Sequence, residues 1–149
     1  MPILMCEYNK APLGIQNTRP RFGWQMPEGY MPQSAYRIQV YEEGNGACVW
    51  DSGRKTENIC SCVEYEGEAL KSRTRYQWKL SLELTDGQGF EQSAWFETGI
   101  FGQGEWEAAW IQSPEPKHRA SVLLIRQFTL DHVPERGRIY ISGIGYYEL

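Results

Sequence analysis

The clearest pattern in the chain is the alternation in YQWKLSLEL, where Tyr76, Trp78, Leu80, Leu82 and Leu84 are apolar or aromatic and Gln77, Lys79, Ser81 and Glu83 are polar. A period of two puts the first set on one face of an extended strand, and five successive large inward positions mark that strand as central. Shorter runs repeat the pattern. RFGWQM places Phe22, Trp24 and Met26 together, and AYRIQVYE places Tyr36, Ile38 and Val40 opposite Arg37, Gln39 and Tyr41. CVWDSG, CVEYE (Val63 and Tyr65 on one side) and SAWFETG read as further strands. Asn45-Gly46 and Asp86-Gly87, the latter followed by Gly89, supply hairpin turns in which positive φ angles are expected. No stretch carries a convincing helical period. About seven short strands in the first hundred residues, punctuated by Gly, Pro and Asn, predict an antiparallel β-sandwich rather than a parallel sheet.

The pattern changes after Gly99. IFGQGEWEAAWIQSPEPKH is rich in Gly, Pro and Trp, and reads as a connector partly docked by Trp106 and Trp110. Two apolar runs follow, SVLLIRQFTL and RGRIYISGIGYYEL, joined by DHVPERG. They predict the opening strands of a second sheet, with Ile139 and Ile141 on one face and Tyr140 and Ser142 on the other. Two strands bury too little to stand alone in water, so this part needs further sequence or a partner surface. The expected organisation is a sandwich over residues 1–100, a linker over 101–120 and an incomplete second sandwich over 121–149.

Composition fits a globular chain: 149 residues, 41% hydrophobic, 13% aromatic and 23% charged, enough apolar surface to offset the ordering entropy. Fifteen Lys and Arg against nineteen Asp and Glu give a net charge of -4 without a basic block, so nucleic acid is not an expected partner. MPILMCEYNK lacks the basic and apolar regions of a signal peptide, and no run approaches a membrane span, which predicts a cytoplasmic protein away from membranes. Cys6, Cys48, Cys60 and Cys62 stand at irregular spacings and are expected as reduced thiols. Cys60 and Cys62 alternate around Ser61, and would suit a soft metal only if other ligands converged on them; no metal or other cofactor is expected.

ALKSRTRYQWKLSL sets Leu70 six residues before Tyr76 at the entry to the central strand. This resembles the tyrosine corner of fibronectin III and immunoglobulin-like sandwiches, in which the phenol hydroxyl bonds back to the chain near Leu70 to Arg73. In order along the chain, PLGIQNTRPRFGWQM, QSAYRIQVYE, VWDSGR, VEYEGEALKSRTRYQWKLSL, SAWFETG, WEAAWIQSPE, LLIRQFTLD and RIYISGIGYYEL are similar to the N-terminal region of bacterial α-L-rhamnosidases of glycoside hydrolase family 78. The resemblance implies an all-β, fibronectin III/immunoglobulin-like sandwich followed by the first strands of a truncated, jelly-roll-like second sandwich. It also implies that the chain ends inside the second domain of a larger enzyme whose catalytic (α/α)6 barrel comes later. The remaining domains of that parent are then its partners, with carbohydrate contact and self-association through Ser121–Leu149 as further expectations. The alternative is an independent carbohydrate-binding or adhesion-type fibronectin III module.

No catalytic residue is expected here. Glycoside hydrolysis needs two carboxyl groups about the scissile bond, whereas Glu42, Glu43, Glu64, Glu66 and Glu83 fall on outward faces or in turns. The parent's acid and base, which the resemblance assigns to an inverting mechanism, belong to the barrel. His118 and His132 read as surface residues in polar connectors, and the glycines of Gly102–Gly104 and Gly143–Gly145 as turns or bulges rather than phosphate loops. Among the aromatics, Trp24, Tyr36, Tyr76 and Trp78 belong to the core. Tyr41, Trp50, Trp95, Trp106, Trp110, Tyr146 and Tyr147 are open to either packing or a sugar platform.

Overall fold

The computed structural model describes residues 1–113 and 122–144. Its strands are β1 (Ile3–Cys6), β2 (Arg21–Gln25), β3 (Gln33–Glu42), β4 (Cys48–Asp51), β5 (Val63–Glu64), β6 (Arg75–Leu84) and β7 (Gly89–Glu97). They build two sheets, ordered β1-β2-β5 and β4-β3-β6-β7, in which every strand pair is antiparallel. This is the predicted immunoglobulin-like sandwich. All five inward residues of β6 are at most 2% exposed. Facing them from the smaller sheet are Phe22 and Trp24, which meet Trp78 at 4.7 Å and Tyr36 at 5.2 Å between ring centroids. Burial of each such side chain contributes about 1.5–3 kcal/mol, so this cluster dominates the stability of the sandwich.

Most buried polar groups in this core have partners, although the indole Nε1 of Trp78 has none among the described residues. Trp24 Nε1 donates to Gln33 Oε1 at 2.8 Å, and Gln33 Nε2 donates to the carbonyls of Glu57 and Ile59, which anchors the long segment between β4 and β5. The tyrosine corner forms as expected: the Lys71 N–H donates to Tyr76 Oη at 2.8 Å. Tyr65 makes a second closure, donating to the Glu68 carbonyl at 2.7 Å. Gly67 lies against that ring, and a Cβ there would sit 2.5 Å from Trp50 Cβ and 2.6 Å from Tyr65 Oη, so only glycine fits.

Several expectations need correction. The hairpin after β3 exists, but its positive φ angles belong to Gly44 (106°) and Gly46 (68°), while Asn45 acts through its side chain, accepting from the Ala47 N–H at 2.9 Å. CVEYE yields only the two-residue β5, because Cys62 adopts φ 58° and breaks the extended run. Cys60 and Cys62 therefore do not share a strand face. Trp106 and Trp110 are 39% and 72% exposed and do not dock the connector. That task falls to Phe101, packed on the core, and to Glu105, whose Oε1 accepts from Ser72 Oγ at 2.8 Å and whose carbonyl accepts from Arg73. Gly102 precedes, and Gly104 lies within, a one-turn 3-10 helix, Gln103–Glu105.

The chain divides into two compact units, Met1–Ala109 and Trp110–Leu149. In the second, the runs expected to open another sheet form no strand among their described residues, 122–130 and 138–144. A strand exists only through its neighbours' hydrogen bonds, and apolar content cannot replace them. His118, Ser121, Gly145, Tyr146 and Tyr147 lie outside the described residues.

Candidate functional site

Registration across β3, β6 and β7 sets Tyr41 opposite Gln77 and Gln77 opposite Trp95, so three outward side chains form a row on the solvent face of the larger sheet. Arg75, two residues before Gln77 on the same face, lays its guanidinium 4.0 Å from the centre of the Trp95 ring. Glu43 stands at the rim beyond β3, tied to β6 by its N–H donating to the Arg75 carbonyl at 2.9 Å. With Ser93 these residues enclose a shallow groove of about 470 Å³. Near Tyr41 the pairing of β3 with β4 slips by one residue, leaving Val49 as a bulge that twists this end of the sheet.

Electrostatics separate Arg75 from its neighbours. Arg37, Arg54, Lys71 and Lys79 reach Asp51, Glu83, Glu42 and Glu91 at 2.9, 2.7, 2.8 and 2.8 Å. Arg75 Nε is instead 3.6 Å from Glu43 Oε1, too far for a hydrogen bond, and is buried with no acceptor among the described residues. The paired carboxylates all titrate lower than usual: Asp51 falls to about 2, chiefly through the hydrogen bonds from Arg37, and Glu42, Glu83 and Glu91 are lowered by Lys71, Arg54 and Lys79. Glu7 is lowered likewise by Arg21. A general acid must be held protonated near neutrality, which is the opposite direction.

A second groove of about 230 Å³ opens beside Trp50, Lys55, Glu57 and Cys62. Trp50 is half-buried and packs against the core, stacked at 5.9 Å on Phe22 and edge-on at 5.3 Å to Tyr65. The four cysteines are free thiols; burial pushes the Cys6 thiol up, while Cys62 Sγ lies 3.3 Å from Tyr8 Oη on the surface. Among the described residues no group of three or more His, Cys, Asp or Glu converges as metal ligands.

Of the aromatics open to a sugar platform, the structure thus brings together Tyr41 and Trp95 and leaves Trp106 and Trp110 exposed elsewhere. Glu42 and Glu43 fall at the groove's edge. Sequence reading missed Arg75 and gave Gln77 only an outward face. Alternation from Tyr76 puts Arg75 and Gln77 on one face, but their meeting with Trp95 depends on a strand register that no local pattern reveals.

A family model of Rha78A-like N-terminal immunoglobulin domains matches residues 3–102. The α-L-rhamnosidase of Streptomyces avermitilis is 39% identical over 124 residues, covering 78% of this chain and 12% of that protein. One from Formosa agariphila is 29% identical over 159 residues, covering 94% of this chain and 17% of that protein. The solved structure of the Streptomyces avermitilis α-L-rhamnosidase complexed with L-rhamnose superposes with a TM-score of 0.68 at 36% identity, over 74% of this chain and 12% of that one. The α-L-rhamnosidase of Dictyoglumus thermophilum gives 0.67 at 29% identity, over 75% and 14%. The chain therefore spans less than a fifth of each of these rhamnosidases.

Proposed function

The chain belongs to the family of Rha78A-like N-terminal immunoglobulin domains, and from that membership we propose that it serves as the non-catalytic N-terminal part of an α-L-rhamnosidase-like glycoside hydrolase. The parent would hydrolyse terminal α-L-rhamnosides in the cytoplasm. Within it, residues 1–100 brace the assembly, 101–120 link, and 121–149 begin the next domain, which receives its remaining strands from elsewhere in the enzyme. The observation that carries the reading is the match over residues 3–102 together with the small share of each long relative that the chain covers. The carboxylates support it, since among the described residues Glu7, Glu42, Asp51, Glu83 and Glu91 are all held below the usual carboxylate range rather than above it.

Incubating the purified chain with a chromogenic α-L-rhamnoside tests the non-catalytic role: no release above buffer is expected, and turnover abolished by changing one Glu or Asp would overturn it. The proposal extends to self-association. Val122, Leu124, Phe128, Ile139 and Ile141 are 40–68% exposed, an apolar set that another copy can cover when the rest of the enzyme is absent. Sedimentation at rising concentration should show species above 17.3 kDa, and a constant monomer would remove that extension.

A further inference from the structure

We propose that the groove bounded by Tyr41, Glu43, Arg75, Gln77, Ser93 and Trp95 binds a neutral sugar ring. The inference deepens the reading of the chain as part of a glycosidase, on which it depends for the choice of probe but not for its geometry.

Three features converge. Arg75 Nε is buried and lacks an acceptor, although its side chain as a whole remains 23% exposed. Nε itself is closed off from solvent, but Arg75 lines the groove and its partly exposed side chain can offer donors to a ligand oxygen there. Stacking on Trp95 holds that guanidinium flat, so its donors are presented in a fixed plane rather than on a free arm. The groove's volume of about 470 Å³ lies in the range of small-molecule sites and has room for one or two pyranose rings.

The chemistry of the lining selects the ligand class. Arg75 only donates and the Glu43 carboxylate only accepts, while the Gln77 amide and the Tyr41 and Ser93 hydroxyls can do both. Sugar hydroxyls also donate and accept, so vicinal pairs can satisfy both kinds of group at once. An anion would pair with Arg75 but would meet Glu42 and Glu43 at the rim. An apolar ligand would leave the polar groups of Arg75, Gln77 and Ser93 that line the groove without partners. Tyr41 and the edge of Trp95 give the C–H side of a ring an apolar contact. Because the groove is shallow, affinity should be weak, with Kd on the order of 1 mM.

The test is a titration of the isotope-labelled 149-residue chain, followed by amide and indole resonances, with methyl α-L-rhamnoside, D-glucose and sodium acetate as separate probes. Saturable shifts with a neutral sugar, confined to Tyr41, Gln77, Ser93 and Trp95 and including the Trp95 indole, are expected. Arg75→Met keeps an unbranched side chain against Trp95 but removes the donors; with its other resonances unchanged, it should bind about tenfold more weakly. Gln77→Ala, on an exposed position, should weaken binding without loss of fold. Shifts with acetate but not with sugars would overturn the proposal in favour of a docking surface for an acidic side chain. Absence of saturable shifts with every probe, or shifts located elsewhere, would overturn it outright. None of these outcomes bears on turnover of rhamnosides, which tests the glycosidase reading separately.

Discussion

β6 and the run Val122–Leu130 are both rich in large apolar residues, yet they end in opposite states. In β6, Trp78, Leu80 and Leu82 are at most 2% exposed, with β3 on one edge and β7 on the other. In the second run, Val122, Leu123, Leu124 and Ile125 are 51%, 81%, 49% and 72% exposed and no strand forms. Two differences account for this. β6 alternates strictly, so one face goes into the core and the other stays in water, whereas VLLI has no polar positions between its apolar ones. β6 also has a partner on each side to accept its backbone hydrogen bonds, and this second condition is invisible in any local stretch of sequence.

Emptying the centre of β6 should have the largest effect. Trp78→Ala should lower the unfolding free energy of the sandwich by about 3–5 kcal/mol in denaturant titration, through lost burial and the cavity beside Phe22. Gly67→Ala should cost about 1–3 kcal/mol despite adding a single methyl, because Trp50 and Tyr65 leave it no room. Tyr76→Phe should cost about 1 kcal/mol, the net worth of the bond from Lys71, and Tyr76→Ala several times more. Equal small losses for the two Tyr76 substitutions would remove the tyrosine corner as a stabilising element.

Smaller effects sharpen the contrast. Asp51 has a folded value near 2 against an ordinary 3.8, so the unfolded chain takes up its proton first as pH falls. Its contribution is full above about pH 4 and is lost between the two values; Arg37→Gln should flatten that part of the acid-unfolding profile, and an unchanged slope would show the pair to be inert. Smallest of all, Leu123→Ala should change the stability of the first unit by under about 0.5 kcal/mol, since the side chain is largely in water.

What the sequence disclosed follows the same line. β3 and β6 were legible because each residue's environment alternates with the pleat over a long run. β1 was not, since Leu4 and Cys6 are only two inward positions in a short segment. CVEYE looked like a full strand because local patterning cannot foresee the left-handed turn at Cys62. Trp50 was ambiguous because its packing against the core depends on the β4 bulge and on Tyr65 arriving from a distant loop. The groove was the least legible part. Tyr41 and Trp95 stood out as aromatics, but Arg75 becomes significant only when three strands align it with Trp95 and leave it without the close carboxylate its neighbours have.

Amide hydrogen exchange on the dilute chain reads backbone closure residue by residue, and so separates β6 from the run Val122–Leu130. Amides of Tyr76–Leu84 should exchange only through global unfolding, while those of Val122–Leu130 should exchange orders of magnitude faster under the same conditions. Equal protection of both segments in a monomeric sample would contradict this, because the second run would then have found its strand partners within this chain.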